Sequence, residues 1–512
     1  MESRCDGGFW LHREGRFASL ANDPRRIKGR VSLTHLPEVI GVMWKMPTLP
    51  KKDAASMIDP RVASGLRDIG PAVMIPRERM LESFRETFRS FGFLPIETPH
   101  IERKEVLTGK ESGSDEVLRQ IFDVTNKGGT PDELALRFDL TVPLARFVAK
   151  HVNELGTPFK RYAIGSVFRG ERPAKGRFRE FTQCDFDIVG TESVVADAET
   201  VQVIHGALTA AGAPAFTIAI NNRKILDGLL AKHGVAEKKA FILRELDKWD
   251  KIGREKVEER LRSGGSSEHV DLHGISADVV KRIADFVEEG KGGVEVLSFA
   301  VEKVGEEPIA AEGINNLKRI LDLLDAAGVP SERLKIDLGL ARGLDYYTGV
   351  VFETTVMGWE KFGSISSGGR YDNLANLFTE RKLPGVGASI GLDRLMALME
   401  EAGSLRAGES ATPVLVANFP GADARVAMRL AAELRAEGVG AEVFPDPIQI
   451  GKQMAYGTMR GHRLAVIVGP DEMDKQVFNL RDLRTREEQK GLEWPLLVDS
   501  VKSALSVMGT EN

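Results

Sequence analysis

The sequence predicts an α+β fold: an antiparallel sheet with helices, interrupted by a helical insertion and followed by a small α/β domain. Three observations carry this prediction. Residues 159–190 hold two extended runs, FKRYAIGSVFRGE and FREFTQCDFDIVG, around the basic loop RPAKGR, the pattern of an antiparallel hairpin with a long tip. Residues 225–334 turn Lys/Glu-rich, with helical periodicity and few strand runs. After Thr412, the β-type runs VLVANF, AEVF and LAVIVG alternate with the helical runs RVAMRLAAELRAEG and GKQMAYGTMRG, which argues a largely parallel sheet. The 512 residues divide into about three domains at ~100–200 residues each. The expected boundaries are 55–224 and 335–405 for the two parts of the sheet-bearing unit, 225–334 for the insertion and 412–512 for the last domain.

Residues 1–45 stand apart, without an apolar stretch or a sustained period. Glu2, Asp6, Glu14 and Asp23 argue against a transit peptide. The stretch reads as a disordered extension or as translation from an upstream start, with Met46 a sensible natural one. MIPRERMLESFRETFRSFGF (74–93) has apolar residues at helical spacing and Gly92 as a stop. LPIETPHIE (94–102) is strand-like; Pro99 cannot donate a ladder bond, so this strand belongs at an edge. Residues 194–212 read as helix and IAINNRK (218–224) as a strand entering a turn. Strand signals return at LKIDLGL, VVFETTV and SISSGGRYD, and GVGASIGLDRLMALMEE is a strand running into a helix. AGSLRAGESA reads as a linker, and LLVDSVKSALSVM as a closing helix.

Composition narrows the function classes only a little. Lys plus Arg is 70 and Asp plus Glu 75, a net charge of -5, so the chain does not advertise nucleic acid, although a local basic face is compatible with it. Two distant cysteines, Cys5 and Cys184, make neither a disulfide framework nor a zinc cluster and suit a reduced, cytoplasmic protein. No apolar run approaches the ~20 residues that span a bilayer. There is no P-loop and no serine nucleophile elbow, and no histidine pair has metal-ligand spacing. GVGASIG (385–391) has the wrong glycine spacing for a dinucleotide site and reads as close backbone packing.

What remains is a set of arginines in apolar or glycine-rich settings: Arg169, Arg342, Arg370 and Arg394. One such arginine usually pairs with a structural carboxylate. Several in one chain, each beside glycines that let backbone approach a ligand, tilt the reading towards polyphosphate binding.

These residues also carry a family resemblance. The hairpin sequence from Phe159 resembles motif 2 of class II aminoacyl-tRNA synthetases, GVGASIGLDRL resembles motif 3, and residues 74–102 resemble motif 1. LARGLDYYTGVVFE and SISSGGRYD are similar to the two signature stretches of the histidyl-tRNA synthetase family. The match covers about residues 55–512, and the RGLDYY element is absent from most class II members. The resemblance implies a class II antiparallel catalytic sheet, a C-terminal anticodon-binding domain, and a cytoplasmic homodimer with its seam at motif 1. It implies activation of L-histidine with ATP to histidyl-adenylate and transfer to the 3′ end of tRNA(His).

It also implies roles. Arg169 clamps the α-phosphate and the histidine carboxylate, and Arg342 reaches the same phosphate from the other side. Arg394 and Arg177 hold the β- and γ-phosphates, Glu171 and Phe181 face the adenine, and Mg²⁺ accompanies ATP. Asp139 and Thr141, flanking Leu140 in the histidine site, take the α-amino group. Gln183 and Asp187 sit at even spacing on the returning strand, hence on one face. Asp187 and Tyr347 take the imidazole, with Tyr346 alongside. Many bacterial members have Glu where this chain has Asp139 and Asp187, one methylene shorter. Cys184 points to the opposite face and is assigned no chemistry. In the last domain Lys452, Arg460, His462, Arg463, Arg481, Arg484 and Arg486 form a basic set available to RNA. The alternative is a catalytically inactive paralogue serving as a regulatory subunit in histidine biosynthesis; a third reading is a tRNA-binding or stress-sensing module. Intact Arg169, Arg342 and Arg394, and the presence of residues 412–512, argue against the paralogue, and an intact substrate pocket against the module.

Overall fold

The computed structural model describes residues 58–109, 120–125, 127–129, 132–264, 274–341, 347–405, 410 and 412–507. The expectations for residues 1–45, for Arg342 and for Tyr346 fall outside them. From Val62 onward the chain forms one compact unit. Of the preceding unit only residues 58–61 are described, where the Arg61 amide donates to Asp59 Oδ1 at 3.1 Å.

The helix Pro71–Ser90 starts on a proline, whose fixed φ suits a first helical turn. It buries Met80, Leu81, Phe84 and Phe88 and ends before Gly92, the expected stop, which takes φ +80°. Residues 94–102 do not form the one strand expected. They give β1 (Leu94–Pro95) and β2 (Ile101–Arg103), with Pro99 in neither. β1 lies at the sheet edge, while β2 joins β3 (Asp123–Val124) and β4 (Leu134–Leu136) in a small second sheet.

The predicted hairpin forms as β5 (Phe159–Phe168) and β6 (Glu180–Val189), paired antiparallel from Phe159↔Val189 to Phe168↔Glu180. β7 (Phe216–Asn222), β8 (Lys291–Gly292), β9 (Leu334–Asp337), β10 (Val350–Val356), β11 (Ser366–Tyr371) and β12 (Gly385–Gly391) complete a nine-stranded sheet. Its order is β1-β5-β6-β12-β11-β10-β7-β9-β8. All the pairs are antiparallel except β1/β5 and β7/β9. β12, the latest of the nine in sequence, fills the centre between β6 and β11.

The described part of 225–334 is mostly helical, the periodicity the sequence shows there, but β8 within it joins the sheet through β9. Its Ile242, Val257, Ile283 and Leu297 belong to the same continuous core as Phe84, Ile204 and Ile218. The C-terminal domain has its own cores. There β13 (Val414–Val416), β14 (Ala441–Val443) and β15 (Leu464–Ile467) are parallel, as predicted. The sequence reading misses β16 (Val477–Asp482) and β17 (Glu488–Glu493), an antiparallel hairpin extending that sheet. No described helix is long and apolar enough to cross a membrane.

Candidate active site

Because side chains alternate along a strand, Gln183, Asp185 and Asp187 share one face of β6, while Thr182, Cys184, Phe186 and Ile188 share the other. The second face packs against the helix Pro71–Ser90: the Phe88 and Phe186 rings lie tilted at 35° with centroids 5.1 Å apart. Cys184 lies wholly in this core, and burial raises its thiol pKa. The first face floors a cavity of about 550 Å³. Small neighbours on the adjacent strands keep it open: Ala163 stands beside Asp185 on β5, and Gly387 and Ser389 stand beside Asp187 and Asp185 on β12. A side chain at Gly387 would strike Asp187 and the Phe186 carbonyl, so GVGASIG is a stretch of close backbone packing.

Of the sequence-derived candidates, Asp139, Thr141, Arg169, Glu171, Arg177, Gln183, Asp187, Tyr347 and Arg394 all line this cavity. Two sit just outside. The Leu140 carbonyl accepts from Arg161 Nη2 at 3.2 Å, and the Phe181 ring packs 5.2 Å from the Arg169 guanidinium carbon. Arg370 is drawn elsewhere. It is buried against Asp197 (Nε–Oδ1 2.9 Å) and the Thr191 and Ser193 carbonyls, a structural tie between β11 and the helix Val194–Ala210.

One side of the cavity is cationic. Arg169 spends Nε on the Phe138 carbonyl at 3.0 Å, and Arg394 spends Nη1 on the Ser364 carbonyl at 2.7 Å. Burial, then the charge of Arg177, lowers the Arg394 pKa, with Arg169 adding to the effect. Glu171 lies 3.7 Å from Arg177 and opposes it. Three guanidiniums gathered on one wall fit a polyanion.

The floor is anionic. Asp139 accepts the Val142 amide on Oδ1 at 3.1 Å, at the start of the helix Thr141–Leu155, and its Oδ2 receives no hydrogen bond. Burial lifts this carboxyl to about 6 against the pull of that amide and of Arg169 and Arg161. Gln183 gives Nε2 to Ser389 Oγ at 2.8 Å, leaving Oε1 without a donor. Asp185 is lifted by burial to about 7, and its Oδ1 is likewise undonated. Asp187 is engaged: Tyr371 donates to Oδ1 at 2.6 Å, and Arg161 Nη2 lies 2.7 Å from Oδ2. Burial raises its carboxyl too, while Arg161 and Tyr371 lower it.

Sequence reasoning passes over Asp185, Ser389, Tyr371 and Arg161. Only Asp185 carries a local signal, the same alternation that selects Gln183 and Asp187. It also passes over Leu243, Asp247, Lys248 and Lys251 of the helical insertion, which close part of the cavity. In the last domain His462 is not available to RNA: it is buried, with Nδ1 2.9 Å from the Thr412 carbonyl and Nε2 2.9 Å from Glu442. Lys452, Arg460, Arg484 and Arg486 are exposed.

Comparisons with known proteins agree with this geometry. A profile described as histidyl-tRNA synthetase matches residues 65–395, and one described as anticodon binding domain matches residues 414–503. The chain is 48% identical over 433 residues to a histidine–tRNA ligase of Rhodopirellula baltica, covering 85% of this chain and 95% of that protein. It is 41% identical over 436 residues to one of Wolinella succinogenes, covering 85% and 96%. The crystal structure of histidyl-tRNA synthetase from Nostoc sp. PCC 7120 superposes with a TM-score of 0.77 at 34% identity, covering 87% of this chain and 100% of that one. With a family profile spanning its sheet-bearing part and relatives matched over nearly their whole length, the chain belongs to the histidyl-tRNA synthetase family.

Proposed function

We propose that this cavity is where the chain activates histidine with ATP to histidyl-adenylate, before passing the histidyl group to the 3′ end of tRNA(His). The observation that carries the reading is the split of one cavity into a wall of arginines and a floor of undonated acceptors. The histidine carboxylate is already ionised, so its attack on the α-phosphate needs no general base. What the chain supplies is placement and charge neutralisation as pyrophosphate leaves.

In this reading Arg169 holds the α-phosphate and the carboxylate, with Arg342 opposite. Arg177 and Arg394 hold the outer phosphates. Phe181, backed by Arg169, and Glu171 face the adenine. Asp139 and Thr141 take the α-amino group, and Gln183 offers Oε1 nearby. Asp187 and Tyr347 stand at the imidazole end, and Tyr346 belongs to the same signature. Among the described residues no group of three or more His, Cys, Asp or Glu is arranged to hold a metal ion. Mg²⁺ in this proposal would accompany the ATP phosphates, where it neutralises charge. Residues 412–512 serve as the anticodon-binding domain, and the protein is a cytoplasmic homodimer joined through residues 74–102.

Histidine-dependent ATP–pyrophosphate exchange by the purified chain, followed by transfer to tRNA(His), tests the reading. A folded protein without exchange would support the inactive-paralogue alternative. Transfer should weaken steeply with salt while exchange does not, since RNA affinity draws on phosphate contacts. Light scattering on the same sample tests the dimer.

A further inference from the structure

Asp185 has no role in the reading above. It lies on β6 between Gln183 and Asp187, on the face that floors the cavity. It is 2% exposed, and Oδ1 accepts no hydrogen bond from any described residue. Ser389, its cross-strand neighbour on β12, hydrogen-bonds to the carboxyl and also accepts Gln183 Nε2. One hydroxyl thus orients both side chains, each with one oxygen left for something in the cavity.

Asp187, two residues on, is finished differently. Tyr371 donates to its Oδ1, and Arg161 holds its Oδ2 as an ion-pair partner at 2.7 Å, although that oxygen accepts no hydrogen bond among the described residues. Arg161 is itself fully buried and acts on Asp139, Asp185 and Asp187 together. Asp139 also feels Arg169, but three carboxyls still face only these two guanidiniums, so the floor favours a ligand that brings N–H donors or positive charge. A buried acceptor left without a donor costs roughly 1–3 kcal/mol, and native proteins keep few.

We propose that Asp185 is a further specificity-determining residue of the same reaction, whose Oδ1 accepts a ring N–H of the substrate's imidazole beside the Arg161-held Asp187. The proposal rests on the histidine-activation reading. Residues two apart on a strand are separated by ~6.6–6.8 Å, so Gln183, Asp185 and Asp187 form a ruler along which an extended amino acid lies. Gln183 stands at the α-amino end and the two carboxylates reach along the ring. A ligand of the same shape without a ring N–H would leave Asp185 desolvated and unpaired, and sites of this kind reject such ligands strongly.

The test uses the full chain, wild type and Asp185→Asn, with two ligands. Histidine is read by its KM in ATP–pyrophosphate exchange. Imidazolepropionate, which keeps the ring and lacks the amine, is read by its inhibition constant against histidine. Asp185→Asn should raise the histidine KM about tenfold or more, leave kcat within about threefold, and weaken imidazolepropionate by a similar factor. Unchanged constants overturn the proposal. So does a variant that loses histidine affinity but not imidazolepropionate affinity, because that places Asp185 on the amine. Asparagine removes one of several clustered negative charges and should fold; if it does not, Asp185→Ser carries the same expectations. Wild-type protein without histidine-dependent exchange would instead overturn the activation reading itself.

Discussion

On one face of β6, Thr182 is held from both ends: its hydroxyl accepts Arg77 Nη2 at 2.6 Å and its amide donates to Asp393 Oδ2 at 2.6 Å. Asp393 in turn takes Arg77 Nη1 at 2.8 Å and pairs with Arg67. Cys184, Phe186 and Ile188 fill the rest of that face with apolar contact. On the other face, one residue away and just as buried, Gln183 and Asp185 keep oxygens that no described residue satisfies. The same strand thus separates groups the protein completes from groups it leaves for a ligand. Burial does not distinguish them; the hydrogen-bond account does.

The contrast is open to attack from either side. The largest effect is expected on the closed face. Asp393→Ala removes the partner of Arg77, which is itself buried, and breaking such a pair costs about 3–5 kcal/mol. A denaturant midpoint unchanged from wild type would show that the closed face does not hold the sheet to the helix Pro71–Ser90. Next is the open face. Arg169→Ala loses one hydrogen bond to a carbonyl, so its melting temperature should stay near wild type, while adenylate formation falls about 10²–10³-fold. Arg342→Ala should behave alike. Normal adenylation by either folded variant removes that arginine from the phosphate clamp.

Asp187 belongs to both regimes and should show both symptoms. Asp187→Asn should raise the histidine KM about tenfold and also lower stability, because Arg161 loses its ion-pair partner. Loss of stability without a change in KM would assign Asp187 wholly to the framework. The smallest effect is a pH signature of Asp185. Its folded carboxyl is raised to about 7, against ~3.9 in an unfolded chain. The folded state therefore holds that proton more tightly, and the stability it contributes is full below pH ~4 and lost as pH rises towards 7. Asp185→Asn removes the loss. Without ligand it should melt above wild type at pH 8, by about 1 °C per kcal/mol recovered in a unit of this size, with the gap closing by about pH 4. A gap that does not change with pH would mean that Asp185 is not titrating in this window.

The architecture was legible wherever a period was long. The hairpin 159–190, the helix before Gly92, the helical insertion and the parallel part of the last sheet all follow from alternation, 3.6-residue spacing or turn residues. The misses share a physical cause. Residues 94–102 have a strand's composition, yet their partners lie in two different sheets, which no local pattern reports. β17, EQKGLE, is mostly polar and pairs only because β16 lies beside it. In the site, alternation places Asp185 with Gln183 and Asp187, but its open oxygen depends on Ser389, and Asp187's engagement on Arg161 and Tyr371. Arg370 resembles the other arginines in its glycine-rich setting and differs only through Asp197, far away in sequence.

The order of the strands also has a consequence for how the protein is made. A ribosome delivers β5 and β6 early, β10 and β11 much later, and β12 last, although β12 belongs between β6 and β11. A nascent chain that has not yet extended past Gly385 carries two raw strand edges where the middle of its sheet should be. Such edges are templates for pairing with other chains. Premature release upstream of that strand would leave β6, which carries the floor residues, without the neighbour that supplies Gly387 and Ser389. The cavity's lining is complete only once Gly387, Ser389 and Arg394 have been made, near the end of the sheet-bearing part of the chain.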